Sequence, residues 1–208
     1  MRPRRPSNSA SWIFPALAAF ALTSTAGPAP AADDKPVVVV DTTAGAITIE
    51  LDRAKAPISV DNFLKYVDKG FYDGLIFHRV KPDGPGMIQA GGFSESNGAL
   101  QEKKQGALPP IRNESGNGLS NTRGTIAMAR TRAPNSATSQ FYINHGDNSG
   151  LDNLGGGYAV FGKVIGGLDV VDAIAKSETT VKTTAQGQPF EDVPVKPITI
   201  KSARRKGS

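Results

Sequence analysis

The fold of this chain is decided by two stretches, FHRVKPDGPGMIQAGGF at residues 77–93 and TIAMARTRAPNSATSQFYIN at residues 125–144. In both, a polar or long side chain recurs at every second residue between apolar ones. Side chains two residues apart on a β-strand point to the same face of a sheet, so this alternation predicts strands with one polar face. The side chains that share the face are Met87 and Gln89, Gln140 and Tyr142, and Arg79 from the preceding strand.

The predicted face carries one guanidinium, two amides, a thioether and a phenol. It offers no nucleophile beside a base and no set of metal ligands, so it fits a reaction in which no covalent bond is made or broken. We therefore predict no metal and no cofactor. The chain has no cysteine and only two histidines, which excludes thiol catalysis and disulfides and argues against a zinc site or a histidine triad.

Outside these stretches the sequence predicts further short strands and two amphipathic helices. Pro57 is well placed to open the first helix, because the first N–H groups of a helix are unpaired, and Gly70 is well placed to end it. The apolar stripe of the first helix is Val60, Phe63, Leu64 and Val67, and that of the second is Leu168, Val171, Ile174 and Ala175. Strands are predicted at residues 37–41, 46–51, 75–80, 87–93, 125–129, 140–144, 159–165 and 194–201, with an irregular surface excursion at 94–121.

This order of elements predicts one mainly β domain. Short strands, glycine-rich turns and only two helices favour a closed eight-stranded antiparallel β-barrel whose open ends are capped by the two α-helices. We predict a single domain over residues 32–208, with its core at about 37–201 and a basic C-terminal tail at 202–208.

The first 31 residues have the features of a secretory signal peptide. Arg2, Arg4 and Arg5 give a positive start, residues 12–22 a short apolar run, and Ala29-Pro30-Ala31 the small residues that a signal peptidase reads. The alternative is a membrane anchor, but the apolar run is far shorter than the about 20 residues that cross a bilayer. We predict cleavage near Ala31, export to the periplasm, and no membrane span in the mature chain.

The net charge does not predict a nucleic-acid partner. Of 24 basic residues, three lie in the predicted signal peptide, and four more are Lys201, Arg204, Arg205 and Lys206 near the C-terminus. The rest of the chain carries 17 basic and 19 acidic residues, whereas a nucleic-acid binder is expected to show a basic stripe on its folded body. We interpret the tail as a solvated, frayed end.

Five strings of this sequence resemble signatures of the cyclophilins, the cyclosporin-sensitive class of peptidyl-prolyl cis-trans isomerases, and especially those of its secreted bacterial members. The strings are FHRV, MIQ-GG, NTRGTIAMART, SATSQF-IN and YAVFGKV, and the resemblance runs from about Val37 to Lys201. It implies an eight-stranded barrel with two capping helices. It also implies an isomerase that accelerates rotation about X-Pro bonds in proline-containing polypeptides and unfolded exported proteins, and we expect a monomer.

A peptide bond before proline resists rotation with a barrier of about 18–20 kcal/mol, because the nitrogen lone pair is delocalised into the carbonyl. A donor aimed at that nitrogen favours the twisted state over both ground states. Arg79 is our candidate catalytic donor, since its guanidinium is always charged and the resemblance places it at the family's catalytic arginine. The alternative is a surface ion pair with a nearby carboxylate. His78 should point to the opposite face and pack in the core.

The resemblance implies roles for the other residues of the site. Gln89 and Gln140 are expected to orient Arg79 and to bind the substrate backbone, the alternative being a solvent-facing strand position. The residues implied to bind substrate are Met87, Tyr142 and Leu151 around the proline ring, Ala129 and Arg130 through their main chain, and Tyr158. For Met87, Tyr142 and Leu151 the alternative is ordinary core packing.

Three positions depart from the commonest cyclophilin pattern. Tyr158 stands where many members carry histidine, although its phenol can still donate to a substrate carbonyl. The link Asp83-Gly84-Pro85-Gly86 is longer than usual and lacks the phenylalanine that forms one wall of the proline pocket, and Gly150 stands where cyclosporin-binding members carry tryptophan. We therefore expect weak cyclosporin binding. The alternative to an enzyme is a cyclophilin-fold peptide-binding or chaperone module with little turnover.

Overall fold

The computed structural model describes residues 35–82 and 86–207, together with Met1. The predicted cleavage site near Ala31, with residues 2–34, and residues 83–85 of the unusual link lie outside the described residues. The strands are β1 Val37–Thr42, β2 Gly45–Leu51, β3 Arg79–Lys81, β4 Met87–Ala90, β5 Phe93–Ser96, β6 Ala99–Glu102, β7 Thr125–Met128, β8 Phe141–Asn144, β9 Val160–Gly166, β10 Thr179–Thr183, β11 Pro189–Pro194 and β12 Ile200–Arg205. The helices are α1 Pro57–Asp68 and α2 Leu168–Ala175, and a 3-10 turn spans Ser149–Asp152.

Eight of these strands form one curled antiparallel sheet in the order β12-β1-β2-β9-β7-β8-β4-β3. This sheet and the two helices confirm the prediction of a mainly β fold with eight antiparallel strands and two helices. The two edge strands of the sheet are β3 and β12. The segment before β3 and the segment before β12 are joined by a β-bridge between Ile76 and Thr199. There the N–H of Phe77 donates to the carbonyl of Ile198 at 2.9 Å.

Helix α1 begins at Pro57 as predicted, but its N-terminus depends on a distant residue. Ala56, which precedes the helix, has no side-chain acceptor to offer. The backbone N–H groups of Ile58 and Ser59 instead donate to the carboxylate of Glu114, at 3.0 and 2.7 Å. A carboxylate at this end of a helix satisfies unpaired donors and complements the helix dipole.

The main core lies between α1 and the concave side of the sheet. Phe63 of α1 packs edge-on against Phe141 of β8 with ring centroids 5.4 Å apart, and against Phe161 of β9 at the same distance. The predicted stripe of α1 is buried along its whole length. Burying several large apolar side chains, at about 25 cal/mol per Å², makes this contact strongly stabilising.

The C-terminal segment forms a strand, so its prediction as a frayed tail starting at residue 202 was wrong. Strand β12 runs to Arg205, which pairs with Val38 of β1. Ala203 is buried in the core, and Arg205 donates to both carboxylate oxygens of Asp68 at 2.7 and 2.6 Å. The basic composition of this segment suggested only a solvated end. The segment is ordered instead because β1 offers an open hydrogen-bonding edge and Asp68 offers a carboxylate to Arg205.

Two hairpins were also missed by the sequence analysis. Strands β5 and β6 pair within the segment predicted to be irregular, and β10 pairs with β11 after α2. The β10–β11 hairpin is mostly polar on its exposed side, so its sequence lacks a continuous apolar run. It is held by a small second core, in which Phe190 and Val193 pack against Ile76, Phe93 and Leu100.

Across residues 35–82 and 86–207 the longest helix is α1, and neither it nor α2 has the length and hydropathy needed to cross a membrane.

Candidate functional site

The polar face predicted from the sequence is present on three adjacent strands. Arg79 of β3 lies directly opposite Gln89 of β4, and Gln89 lies opposite Tyr142 of β8. Gln140 immediately precedes β8, and its Oε1 accepts a hydrogen bond from Nε2 of Gln89 at 2.9 Å. Arg79, Gln89 and Gln140 are therefore brought together, although the last is about 50 residues from the others in the sequence.

Arg79 keeps its donors largely unengaged. Its side chain is 39 % exposed, and its Nε lies 3.6 Å from Oδ2 of Asp192 on β11. Within the described part of the chain the guanidinium makes no hydrogen bond. The ion pair weighed as the alternative for Arg79 is thus present, but an exposed pair at this distance contributes little to stability and leaves the terminal N–H groups available.

Two cavities meet at Gln89. One, of about 300 Å³, is here named the Arg79 cavity and is lined by Arg79, Gln89, Pro189, Phe190 and Glu191. The other, of about 290 Å³, is named the Gln140 cavity and is lined by Gln89, Glu102, Ala129, Arg130, Thr131, Ser136, Thr138 and Gln140. Both cavities are lined by Gln89 and adjoin there, and we call the two together the groove, which extends from the β10–β11 hairpin, past Arg79, to the end of β7.

Gly92 makes the position of Gln140 possible. A Cβ atom built on Gly92 would lie 2.5 Å from Nε2 of Gln140 and 2.6 Å from its Cδ. Any other residue here would push the amide away from Gln89. The signal in the sequence is the Gly91-Gly92 pair that follows β4 and ends the string MIQ-GG.

Met87 belongs to an apolar cluster on the same side of the sheet. The cluster consists of Met87, Leu119, Ala127, Ala129, Tyr142, Leu151, Tyr158 and Val160. Met87, Ala129 and Tyr158 are only partly buried, whereas Leu151 is 8 % exposed. The structure thus brings every residue predicted to surround the proline ring into one contiguous patch.

The phenol of Tyr142 does not lie on an open face, and here the sequence analysis was wrong. Tyr142 is 2 % exposed, and its hydroxyl donates to Oδ1 of Asn121 at 2.7 Å. Burial is also the largest cause that raises the pKa of this phenol. Strand β8 is buried on both faces, so alternation along it does not separate core from solvent.

The side chain of Arg130 is occupied within the chain. Its Nε donates to the carbonyl of Gly157 at 3.0 Å, and Nη2 donates to the carbonyls of Leu154 and Gly155 at 3.0 and 2.9 Å. The guanidinium also lies 4.2 Å above the ring of Tyr158. Arg130 therefore holds the 154–158 loop in place, while its own backbone N–H and C=O make no hydrogen bond to any described residue.

Gly86, the last residue of the link that lacks the pocket phenylalanine, is buried under His145. A Cβ at Gly86 would lie 2.5 Å from Cε1 of His145, whose Nε2 is 2.8 Å from the carbonyl oxygen of Lys81. The imidazole therefore occupies the space that a side chain at Gly86 would need. Gly150 is the opposite case, since a Cβ there meets no atom within 4 Å.

His78 packs in the protein interior, as predicted, but it lies beside a wall of the groove, since Phe190 also lines the Arg79 cavity. It is fully buried, and its ring packs 4.8 Å from that of Phe93 and 5.7 Å from that of Phe190. Burial lowers the pKa of His78 to about 4, against smaller opposing effects from the Ile76 backbone and the Gln140 side chain. The imidazole is therefore neutral at physiological pH and does not act as an acid or base beside Arg79.

In the part of the chain that the structure describes, no three side chains of histidine, cysteine, aspartate or glutamate are grouped so as to hold a metal ion. The groove offers a cationic donor and two linked amides, and the apolar patch borders it at Ala129. Such a set binds and polarises a peptide without exchanging protons or forming a covalent bond.

Comparison with known proteins matches this geometry to one family. The sequence model of the family described as cyclophilin type peptidyl-prolyl cis-trans isomerase/CLD matches residues 37–205. Peptidyl-prolyl cis-trans isomerase A of Dickeya dadantii is 50 % identical over 179 residues, which cover 85 % of this chain and 88 % of that protein. A peptidyl-prolyl cis-trans isomerase of Acinetobacter baylyi is 52 % identical over 168 residues, covering 80 % and 86 % of the two chains.

Solved structures agree on the fold. A cyclophilin type peptidyl-prolyl cis-trans isomerase of Cryptosporidium parvum superposes with a TM-score of 0.64 at 23 % identity, covering 84 % of this chain and 99 % of its own. The same protein crystallised in the presence of the dipeptide Ala-Pro gives a TM-score of 0.64 at 24 % identity, covering 83 % and 99 %.

Proposed function

This chain belongs to the cyclophilin-type peptidyl-prolyl cis-trans isomerases, enzymes of prolyl isomerisation, and we propose that Arg79, Gln89 and Gln140 are its catalytic residues. As the X-Pro bond twists, its nitrogen becomes pyramidal and regains its lone pair. A guanidinium N–H directed at that nitrogen binds the twisted state more strongly than the planar cis or trans states, which lowers the barrier.

The observation that carries this proposal is the set of unengaged donors of Arg79 beside Gln89. A guanidinium cannot take up or lose a proton at working pH, so its task here is electrostatic. The hydrogen bond between Gln89 and Gln140 fixes both amides, and a fixed amide beside Arg79 limits where the substrate backbone can lie. Preorganised donors of this kind cost no rearrangement during the reaction.

We propose that the proline ring sits on the apolar patch around Met87, with Leu151 and the ring of Tyr142 beneath it. Tyr158 borders the same patch. Ala129 and Arg130 bind the substrate main chain, and the free backbone groups of Arg130 support this role better than its engaged side chain does. This placement gives the peptide a path along the groove, from the Gln140 cavity to the Arg79 cavity.

The biological substrates we propose are proline-containing polypeptides and unfolded exported proteins, which the enzyme meets in the periplasm as a monomer. This rests on the N-terminal sequence, with its basic start, apolar run and Ala-x-Ala site, so residues 1–31 form the signal peptide and residues 32–208 the mature domain. N-terminal sequencing of the protein from a periplasmic fraction should return Ala32 or a near neighbour. Recovery of the chain with Met1, or with the inner membrane, would contradict export.

We also propose that the curled sheet closes into the eight-stranded barrel capped by α1 and α2. The bridge between Ile76 and Thr199 and the hydrogen bond from Phe77 to Ile198 support closure, because they link the chain next to both edge strands. Slow hydrogen exchange at the N–H of Phe77, comparable to that within β1 and β2, would test it.

The proposal about the site is tested by measuring catalysed cis-trans exchange of a proline peptide on the purified mature chain. Turnover that falls with Arg79→Ala supports it. A chain that binds unfolded protein but leaves the exchange rate unchanged would fit the chaperone alternative.

A further inference from the structure

The β10–β11 hairpin forms one wall of the Arg79 cavity. Pro189, Phe190 and Glu191 line it, and strand β11 packs alongside β3, which carries Arg79. This wall comes from a segment more than 100 residues beyond Arg79. None of its residues was predicted from the sequence to belong to the site.

The hairpin is held rigidly enough to serve as a wall. Nζ of Lys182 lies 2.7 Å from Oε2 of Glu95, and the two side chains are only 11 % and 14 % exposed. The same Nζ lies 3.2 Å from the carbonyl of Val195. An ion pair with so little exposure is poorly screened by salt, and the second core under Phe190 and Val193 adds apolar contact.

A β-bulge in β11 decides what this wall presents. Thr180 pairs with Val193 and Lys182 with Phe190, so Glu191 and Asp192 together lie opposite the single residue Val181. Asp192 has a φ of 61°, in the left-handed region that few non-glycine residues adopt. Bulges are frequent next to active sites, where they redirect side chains.

The bulge gives its two carboxylates different surroundings. Oδ2 of Asp192 lies 3.6 Å from Nε of Arg79, so this carboxylate faces a cation. Glu191 lines the same cavity, is exposed, and makes no ion pair or hydrogen bond with any residue that the structure describes. Glu191 is therefore a carboxylate of the cavity lining that has no cationic partner within ion-pair distance among the described residues.

We propose that Glu191 is a specificity-determining residue, which favours polypeptides carrying a lysine or arginine beside the X-Pro bond. This rests on the proposed role of Arg79, because a substrate held at Arg79 extends into the cavity that both residues line. The methylene groups of a long basic side chain would lie along Pro189 and Phe190, with the cationic head at the Glu191 carboxylate. The occupant is thus part of the substrate, in a continuation of the groove.

The test uses one proline peptide in three forms, with lysine, glutamine or glutamate at the position before or after the X-Pro pair. Exchange NMR measures catalysed isomerisation without a coupling protease. At low ionic strength kcat/KM should be about fivefold higher for the lysine form than for the glutamate form at one of the two positions, the order expected for one exposed charge pair in water. High salt should reduce the ratio.

Three variants then locate the effect. Glu191→Gln should bring the ratio close to one, and Glu191→Lys should reverse the preference. Glu178→Gln is the matched control, because it removes the same charge from an exposed residue that lines a different cavity, and it should leave the ratio unchanged. Equal rates for the lysine and glutamate peptides, or a ratio that survives Glu191→Gln, would overturn the inference alone. No turnover of the glutamine peptide would overturn the proposed function with it.

Discussion

Gln89 donates a hydrogen bond from Nε2 to Oε1 of Gln140 at 2.9 Å, and this bond ties strand β4 to the residue that precedes β8. It lies between the two halves of the groove, since Gln89 lines both cavities. The bond leaves the carbonyl of Gln89 and the NH₂ group of Gln140 for other partners. The pair can therefore meet a donor and an acceptor of a peptide backbone at the same time.

Replacing Arg79 should remove most of the catalysis. We expect Arg79→Ala to lower kcat/KM by at least about 100-fold, the order seen when one transition-state donor is lost. Arg79→Lys should recover only part, because an ammonium lacks the planar set of donors. Exchange NMR on a proline peptide measures the effect, and circular dichroism checks the fold.

The control for Arg79 is Arg112→Ala, which removes the same charge from an exposed side chain outside both cavities. It should keep normal kcat/KM. Near-normal activity in folded Arg79→Ala would refute the assignment of Arg79 as the catalytic donor.

Adding one methyl group at Gly92 should displace Gln140. The Cβ of Gly92→Ala would fall 2.5 Å from Nε2 of Gln140, so the flexible amide must move away from Gln89. We expect kcat/KM to drop about tenfold or more, as small displacements of positioning groups cost such factors. The free energy of unfolding should change by no more than about 1 kcal/mol, because only a side-chain end has to shift.

Gly146→Ala is the matched control for Gly92→Ala, since a Cβ at Gly146 meets no atom within 4 Å. It should leave kcat/KM unchanged. If Gly92→Ala were fully active, the position of Gln140 beside Gln89 would not matter for turnover.

Cyclosporin should bind the natural chain weakly and a Gly150→Trp variant more tightly. The site has room, because a Cβ at Gly150 meets nothing within 4 Å, and the 3-10 turn that holds it also carries Leu151 of the apolar patch. An indole at this edge can cover apolar ligand surface, for which we expect at least about tenfold tighter binding. Calorimetric titration measures it, with Gly150→Ala as the control that adds no ring. Tight binding to the natural chain would contradict the alignment of this turn.

Stability should fall as the pH drops from about 6.5 to 4, because of His78. In that window the unfolded chain binds a proton at His78, whose ordinary pKa is about 6.5, whereas the folded chain with a pKa of about 4 does not. The contribution of the neutral His78 to the free energy of unfolding is fully present above pH 6.5. It is lost as the pH falls to 4, and the total loss is about 3 kcal/mol. Urea unfolding across this range measures the slope.

A His78→Leu variant should lose this pH dependence, while His145→Gln, which leaves the buried ring in place, should keep it. Below pH 4 stability should fall further because of the carboxyls of Asp68 and Asp73. Hydrogen bonds to Arg205 and Arg204 hold the pKa of each carboxyl below its usual value, so the unfolded chain takes up these protons first. A flat profile between pH 6.5 and 4 in the natural chain would mean that His78 is not buried as a neutral ring.

The helices and the central face of the site could be predicted from the sequence. The stripe of α1 repeats with the period of a helix, and Arg79, Met87 and Gln89 alternate with the period of a strand, so local geometry alone places them. Alternation did not work for Tyr142, because β8 is buried on both faces and carries no contrast between core and solvent.

The residue pattern alone was enough to predict the strand and helix periods and most residues of the polar face, with Tyr142 as the exception. Only the tertiary structure decided that Asp192 meets Arg79, that Glu114 caps α1, and that His145 fills the space at Gly86. Each of these contacts joins residues more than 50 positions apart, and which side chains meet depends on how the sheet curls and where its connections return. Short-range periodicity contains no information on these contacts, because it reflects neighbours only a few residues apart, whereas a long-range contact must also offset the entropy of closing the loop between its two residues.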